Sequence, residues 1–156
     1  MSHKTKNRTE KDPSAKQERM LKVRQMRAAK AQQSVAAAVA CPLCPDITAE
    51  VGVKVLTMEA PRETMSCMSA SLVRRARALI ADDTWRAEFF AWLDAYWAQH
   101  QHGPTWRTLR TTEEIWPQDG SLVLRRAVLR TLPSSGHVDG TRIPYGLCVR
   151  RRDKEK

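Results

Sequence analysis

Apolar side chains recur at helical spacing in the C-terminal half of the sequence. Four aromatic residues follow one another at steps of four, three and four positions: Trp85, Phe89, Trp92 and Tyr96. This spacing places them on one side of a helix, and the polar residues 82–84 before them offer oxygens that cap a helix N-terminus. We therefore predict a helix that begins near residue 84, faces a core on a broad side and is ended by Gly103.

Two further helices are expected after this one. The second is short and begins at Trp106, directly after Thr105, which is a suitable N-cap. The third is expected over residues 121–132, since Asp119 or Ser121 can cap it and Pro133 cannot continue it. Four apolar residues form its inner side: Leu124, Val128, Leu129 and Leu132. Its arginines are consequently left at the border or on the outer side.

The segment after the third helix alternates in the manner of a strand. Tyr145, Leu147 and Val149 occupy every second position, and Asp139-Gly140 is a typical turn sequence. These features predict a β-hairpin with a short loop over residues 136–150. The expected fold class is mainly α, with three helices and a hairpin in the C-terminal part.

The N-terminal part of the sequence is expected to form a tail, two helices and a linker. Residues 1–15 are almost devoid of large apolar side chains and are expected to be a disordered basic tail. Residues 16–40 are rich in Ala, Lys, Arg and Gln and predict a basic helix. Residues 41–70 are expected to be a linker, in which the alternating valines of 51–55 indicate a short strand. Residues 71–81 predict a helix that leads into the C-terminal domain.

The apolar seam of the basic helix is thin. Leu21, Ala28 and Val35 lie seven residues apart, while Lys and Arg occupy the other sides. This pattern suits a short coiled coil with a second copy, packing against the rest of the chain, or a basic helix lying against phosphate. The sequence leaves these three uses open.

Positive charge is concentrated at the two ends of the chain. The net charge is +10, and it divides into +7 over residues 1–40, −2 over 41–103 and +5 over 104–152. Each Lys or Arg placed near a phosphate releases counterions and gains affinity, so two basic blocks suggest two surfaces that meet a polyanion. The sequence has neither an apolar run of membrane-spanning length nor an apolar N-terminus, and we expect a cytoplasmic protein.

The order of elements resembles the winged-helix domains of bacterial transcriptional regulators. The resemblance covers residues 84–150 and includes the stretch GPTWRTL at 103–109 and the spacing of Leu132, Gly136 and Val138. It implies a winged helix-turn-helix domain that binds DNA and carries a basic helical extension. One departure is the eight-residue segment 113–120 between the second and third helices, which is longer than the tight turn of minimal units.

The resemblance also implies residues that contact DNA. The third helix of such domains enters the major groove, where the planar fork of Arg can bond guanine O6 and N7 together. On this chain the implied groove residues are Ser121, Arg125, Arg126 and Arg130. Thr105 and Arg107 are implied to meet phosphate, and Arg142 in the wing to reach a minor groove or a flanking phosphate.

Two cysteines have metal-ligand spacing. Cys41 and Cys44 are separated by two residues, so two thiolates can reach one zinc ion, and they match half of a zinc site. No second pair is adjacent: Cys148 falls in a predicted strand, and His100 and His102 fall at the end of a predicted helix. Zinc, a redox pair and free or buried thiols remain open, and free thiols are the main expectation.

The leading functional prediction is a DNA-binding transcriptional regulator, of phage or plasmid origin, that associates with the nucleoid. It is expected to dimerise through the N-terminal helix or through the segment 41–80. The alternatives are a winged-helix protein that binds a protein partner, with an incidental basic arm, and one that binds RNA or acts as an architectural DNA binder. A Gly-rich phosphate loop, a helical His-Glu-x-x-His and a nucleophile elbow are all missing from the sequence. We therefore expect no enzyme.

Overall fold

The computed structural model describes residues 13–58 and 68–151, and the fold within these ranges is mainly helical. Its helices are α1 (Pro13–Ala40), α2 (Ala49–Thr57), α3 (Ala70–Ala81), α4 (Asp83–His100), α5 (Trp106–Thr111) and α6 (Leu122–Thr131). Two strands, β1 (Val138–Asp139) and β2 (Cys148–Val149), pair antiparallel. The predicted mainly α class and the terminal hairpin are confirmed, and the winged-helix arrangement stays a prediction. Most of the predicted N-terminal tail lies outside the described residues.

Side-chain caps explain where several helices begin. The carboxylate of Asp82 accepts two backbone N–H groups in the first turn of α4, at 2.9 and 3.0 Å. Thr105 and Ser121 cap α5 and α6 in the same way, as the sequence predicts. The end of α4 was predicted wrongly. The left-handed residue that reverses the chain is Gln101, with φ 62° and ψ 16°, and not Gly103.

The core is built from α3, α4, α6 and the segments around them. Phe89 and Leu93 of α4 are fully buried, and the ring of Trp85 stacks on Phe89 with centroids 5.2 Å apart. The indole N–H of Trp85 donates to the carbonyl of Ile115 at 2.7 Å, which satisfies its polar atom inside the core. Trp106 is 38% exposed, because it lines an open cleft that is bordered by α1, α2 and the hairpin loop.

A helix replaces the predicted strand in the linker. The valines of 51–55 alternate, but Thr48 caps a helical turn there by accepting the N–H of Val51. Helix α2 then packs against α1 through Gly52, where an added Cβ would lie 2.9 Å from a methyl group of Val35. A glycine at this point lets the two helices approach closely. The strand prediction was wrong because this contact with α1 outweighs β propensity.

The terminal hairpin is smaller than predicted. Val138 pairs with Val149 and Asp139 with Cys148, so each strand contributes two residues. The connection over residues 140–147 is a loop rather than the short turn expected. Tryptophan holds this loop against α4, since the indole N–H of Trp97 donates to the carbonyl of Leu147 at 2.6 Å.

Arg125 joins α6 to the segment that follows α5. It is 7% exposed, and its guanidinium donates to the backbone carbonyls of Gly120 at 2.8 Å and Arg110 at 3.1 Å. Two more bonds, at 2.9 and 2.5 Å, reach the carboxylate of Glu113. The prediction that Arg125 is available to read bases was wrong, because its planar fork is used to tie the fold together.

We predict that Arg125→Met lowers the free energy of unfolding by about 2 kcal/mol at neutral pH, since hydrogen bonds to charged groups contribute about 1.5–3 kcal/mol. Arg125 holds the pKa of Glu113 below its ordinary 4.5. The stabilisation that the Glu113–Arg125 contact gives to the folded state is therefore complete above pH 4.5. It is lost as the pH falls through the lowered pKa of Glu113 in the folded protein.

Urea denaturation at several pH values measures this effect, and Arg126→Met on the neighbouring exposed position is the matched control. A loss of stability that is equal for both variants, or that does not shrink at acidic pH, would contradict the assigned role of Arg125.

Candidate metal centre and basic surface

The two nearby cysteines lie on a tight turn directly after α1. The N–H of Cys44 donates to the carbonyl of Cys41 at 3.2 Å, and the N–H of Cys41 donates to the carbonyl of Ala38 at 3.3 Å. These bonds fold the Cys41–Cys44 segment so that both thiols face the same side. Cys41 is buried and Cys44 is half-buried.

Two histidines approach the thiols from the end of α4. His100 is the last residue of that helix, and the left-handed turn at Gln101 brings His102 back beside it. A left-handed conformation costs energy at a non-glycine residue, and here it lies at the C-cap of α4, where helices commonly reverse in this way. Gln101 is held there by a bond from its side-chain amide to the carbonyl of Ala98 at 2.9 Å.

The four donor atoms form one compact cluster. The sulfur of Cys44 lies 3.3 Å from Nδ1 of His100 and 3.5 Å from Nε2 of His102, and the sulfur of Cys41 lies 3.5 Å from Nδ1 of His100. All four ligand atoms lie within 4.8 Å of one another. The cluster therefore joins the segment after α1 to the end of α4, across more than 50 residues of chain.

The spacing of these atoms fits a tetrahedral ion. Bonds of about 2.3 Å to sulfur and 2.0–2.1 Å to nitrogen, at tetrahedral angles, place sulfur and nitrogen about 3.6 Å apart. The three sulfur–nitrogen distances are slightly shorter than this value. Two thiols and two imidazoles are also a soft donor set that suits transition metals. The group of Cys41, Cys44, His100 and His102 could hold a metal ion.

Neighbouring groups orient the imidazoles. The Nδ1–H of His102 donates to the carbonyl of Gly103 at 2.8 Å, which leaves the lone pair of Nε2 directed at the cluster. His102 is 1% exposed, so its orientation is fixed by the protein rather than by water. The ring of Tyr96 stacks on His100 with centroids 4.0 Å apart, and Tyr145 meets His102 edge-on at 5.6 Å.

The backbone around the cluster is unusual as well. Among the described residues, the two non-glycine residues with positive φ are Gln101 and Tyr145, and both border the histidines. The N–H of Gly103 donates to the carbonyl of Tyr145 at 2.7 Å. A Cβ at Gly103 would lie 2.5 Å from the carbonyl oxygen of Leu147, so the His102–Gly103 step is clamped against the hairpin loop.

Burial favours the uncharged forms of Cys44 and His100. The pKa of the Cys44 thiol is raised by burial and by the neighbouring Cys41 thiol. The pKa of His100 is lowered by burial and by the nearby His102. The neutral imidazole is the form that binds metals, whereas both thiols must release a proton when an ion binds.

Half of this cluster could be recognised in the sequence alone. Cys41 and Cys44 were recognised, but His100 and His102 were interpreted as a helix terminus. The signal that could have found them is the pairing of two closely spaced ligand pairs, Cys-x2-Cys and His-x-His, in one chain.

The residues predicted to contact DNA are placed differently from one another. Ser121, Arg107, Arg126 and Arg142 are exposed, Thr105 and Arg130 are half-buried, and Arg125 is buried. The hydroxyl of Thr105 is used as the cap of α5, where it accepts the N–H of Thr108 at 3.0 Å. Within the described ranges, no ion pair joins Arg107, Arg126 or Arg142 to an acidic side chain.

None of the helices in residues 13–58 and 68–151 is both long and apolar enough to cross a membrane. Comparisons of the chain with protein-family models, with curated proteins and with solved structures found no match.

Proposed function

We propose that this protein is a zinc-stabilised DNA-binding protein, in which Cys41, Cys44, His100 and His102 hold one structural Zn²⁺ ion. The observation that carries the zinc assignment is the convergence of four N and S donors within 4.8 Å. A Cys2His2 set is one of the common donor sets of structural zinc sites.

The surroundings favour a structural over a catalytic ion. Four protein donors complete a tetrahedral shell, whereas catalytic zinc sites keep one position for water or substrate. Cys41 and His102 are 7% and 1% exposed, which leaves little access for a substrate. The ion would supply four strong bonds that join α1 and α2 to the end of α4.

DNA binding is supported by separate observations. The net charge is +10, and Arg107, Arg126 and Arg142 extend their side chains from α5, α6 and the hairpin loop into solvent. Ser121, Leu122 and Val123 at the start of α6 are exposed beside Arg126. Such a mixture suits a groove, where Arg bonds guanine and apolar side chains contact the methyl group of thymine. We favour the interpretation that the protein is a transcriptional regulator with a winged helix-turn-helix.

We predict that the purified protein retains one equivalent of zinc and that chelation lowers its melting temperature by about 10 °C. Binding contributes about 4 kcal/mol when free zinc exceeds the dissociation constant a thousandfold, and 1 kcal/mol corresponds to about 2–4 °C in a chain of this size. Elemental analysis measures the zinc, and calorimetry with and without a chelator measures the melting temperature.

Matched variants assign the ligands. Cys44→Ser and His102→Gln should lose zinc, whereas Cys148→Ser and His137→Gln, which change the same residue types in the hairpin, should retain it. Tetrahedral Co²⁺ absorption with sulfur charge-transfer bands should appear in the control variants and fade in the ligand variants. Equal zinc retention in all four variants would reject the site.

A selection of duplexes from a random pool tests the second part of the proposal. We predict that Arg126→Gln lowers affinity for the selected duplex about tenfold, since a bidentate contact to a base discriminates by about 1–3 kcal/mol, while affinity for random duplex changes little. Arg74→Gln on α3 is a control that removes one exposed charge elsewhere.

Equal losses on both duplexes would reject base recognition by α6. Failure to enrich any duplex, with tighter binding to RNA or to a protein, would favour the alternative functions of the fold.

A further inference from the structure

The N-terminal part of α1 is exposed along its length, and near its end Arg27 and Ala28 line the cleft beside Trp106 and the hairpin loop. Every residue from 13 to 30 is exposed, and the first buried side chain of the helix is that of Val35. These 18 residues form a segment about 27 Å long at 1.5 Å per residue, and we call it the arm. An isolated helix of this length is only marginally stable in water. The arm is therefore a candidate for a surface that a partner covers.

The charge of the arm indicates the chemistry of that partner. It carries six basic residues against one acidic residue, Glu18. Its basic residues are Lys16, Arg19, Lys22, Arg24, Arg27 and Lys30. Four of them, Lys16, Arg19, Arg27 and Lys30, recur at intervals of three, eight and three residues, which keeps them on one side of the helix.

Repulsion between the basic side chains of the arm also favours a negatively charged partner. Basic residues stand three positions apart at 16 and 19, 19 and 22, 24 and 27, and 27 and 30, and like charges at such spacing destabilise a helix. One ion pair, between Lys22 and Glu18 at 2.8 Å, offsets part of this repulsion within the described residues. A polyanion would relieve the rest. A second copy of the arm would add its own net charge of +5 to the same place.

We infer that the arm lies in the major groove of duplex DNA and binds the phosphates on both sides of it. A helix with its side chains is about 10–12 Å across, which matches a major groove about 12 Å wide. The deep, narrow major groove of duplex RNA does not admit such a helix. Val23 and Met26, which are 46% and 61% exposed on this part of the helix, would face the sugar and base edges.

The cluster of Cys41, Cys44, His100 and His102 gives the arm a fixed base. Helix α1 ends at Ala40, and Cys41 follows at once, so an ion at the cluster would hold the end of the helix against α4. This inference deepens the proposed DNA binding and rests on it. It adds a second contact surface, independent of α6, and assigns to it most of the salt-dependent affinity.

The test compares two variants that each remove three positive charges. The arm variant is Lys16→Gln with Arg19→Gln and Arg27→Gln, and the matched control is Arg74→Gln with Arg75→Gln and Arg77→Gln on the exposed side of α3. The slope of log affinity against log salt, on random duplex DNA, should fall by about 2–3 in the arm variant, since each lost phosphate contact contributes about 0.9. Affinity at about 100 mM salt should fall tenfold or more, and the control should match the wild type.

Several outcomes would overturn the inference. Equal slopes in the two variants would mean that overall charge, not the arm, sets affinity. Binding of duplex RNA as tightly as duplex DNA would reject the major groove, and a dimer that dissociates in the arm variant alone would make a second copy the occupant. No binding of the wild type to any duplex, with zinc retained, would reject DNA binding itself and leave the metal site standing.

Discussion

The chain reversal at Gln101 is the constraint on which the rest of the arrangement depends. It places His102 beside His100 and within reach of the two thiols that follow α1. Among the described residues, the buried aromatic core is built from positions 76–147, and no side chain of α1 or α2 belongs to it. The two N-terminal helices border the C-terminal part at the Cys2His2 cluster and along the cleft that they line with Trp106 and the hairpin loop.

The C-terminal and N-terminal parts of the chain are therefore stabilised by different kinds of contact. The C-terminal part has tryptophans with satisfied indole N–H groups, side-chain caps and the buried Arg125, which together define its packing. Helix α1 packs on α2 at Gly52, where side-chain methyl groups of Val35 and Val39 lie closest. Structural zinc contributes about 10–16 kcal/mol in small zinc-binding peptides, so an ion at the cluster could dominate the stability of the N-terminal part.

The sequence predicted the elements whose signals are local. Helix caps at Asp82, Thr105 and Ser121 depend on residues within one turn, and periodic apolar positions identified the inner sides of α4 and α6. Contacts between distant segments could not be predicted in this way. The alternating valines of α2 form a helix because α1 packs on them, and Arg125 is buried because Glu113 and two carbonyls surround it. The cysteine pair and the histidine pair are separated by 56 residues or more, so only the fold brings the two pairs together.

X-ray absorption spectroscopy at the zinc edge of the zinc-loaded protein tests the central claim most directly. We expect a first coordination shell of two sulfur atoms at about 2.3 Å and two nitrogen atoms at about 2.0–2.1 Å. A shell made mainly of oxygen, or one that lacks sulfur, would contradict the claim that these four side chains share one ion.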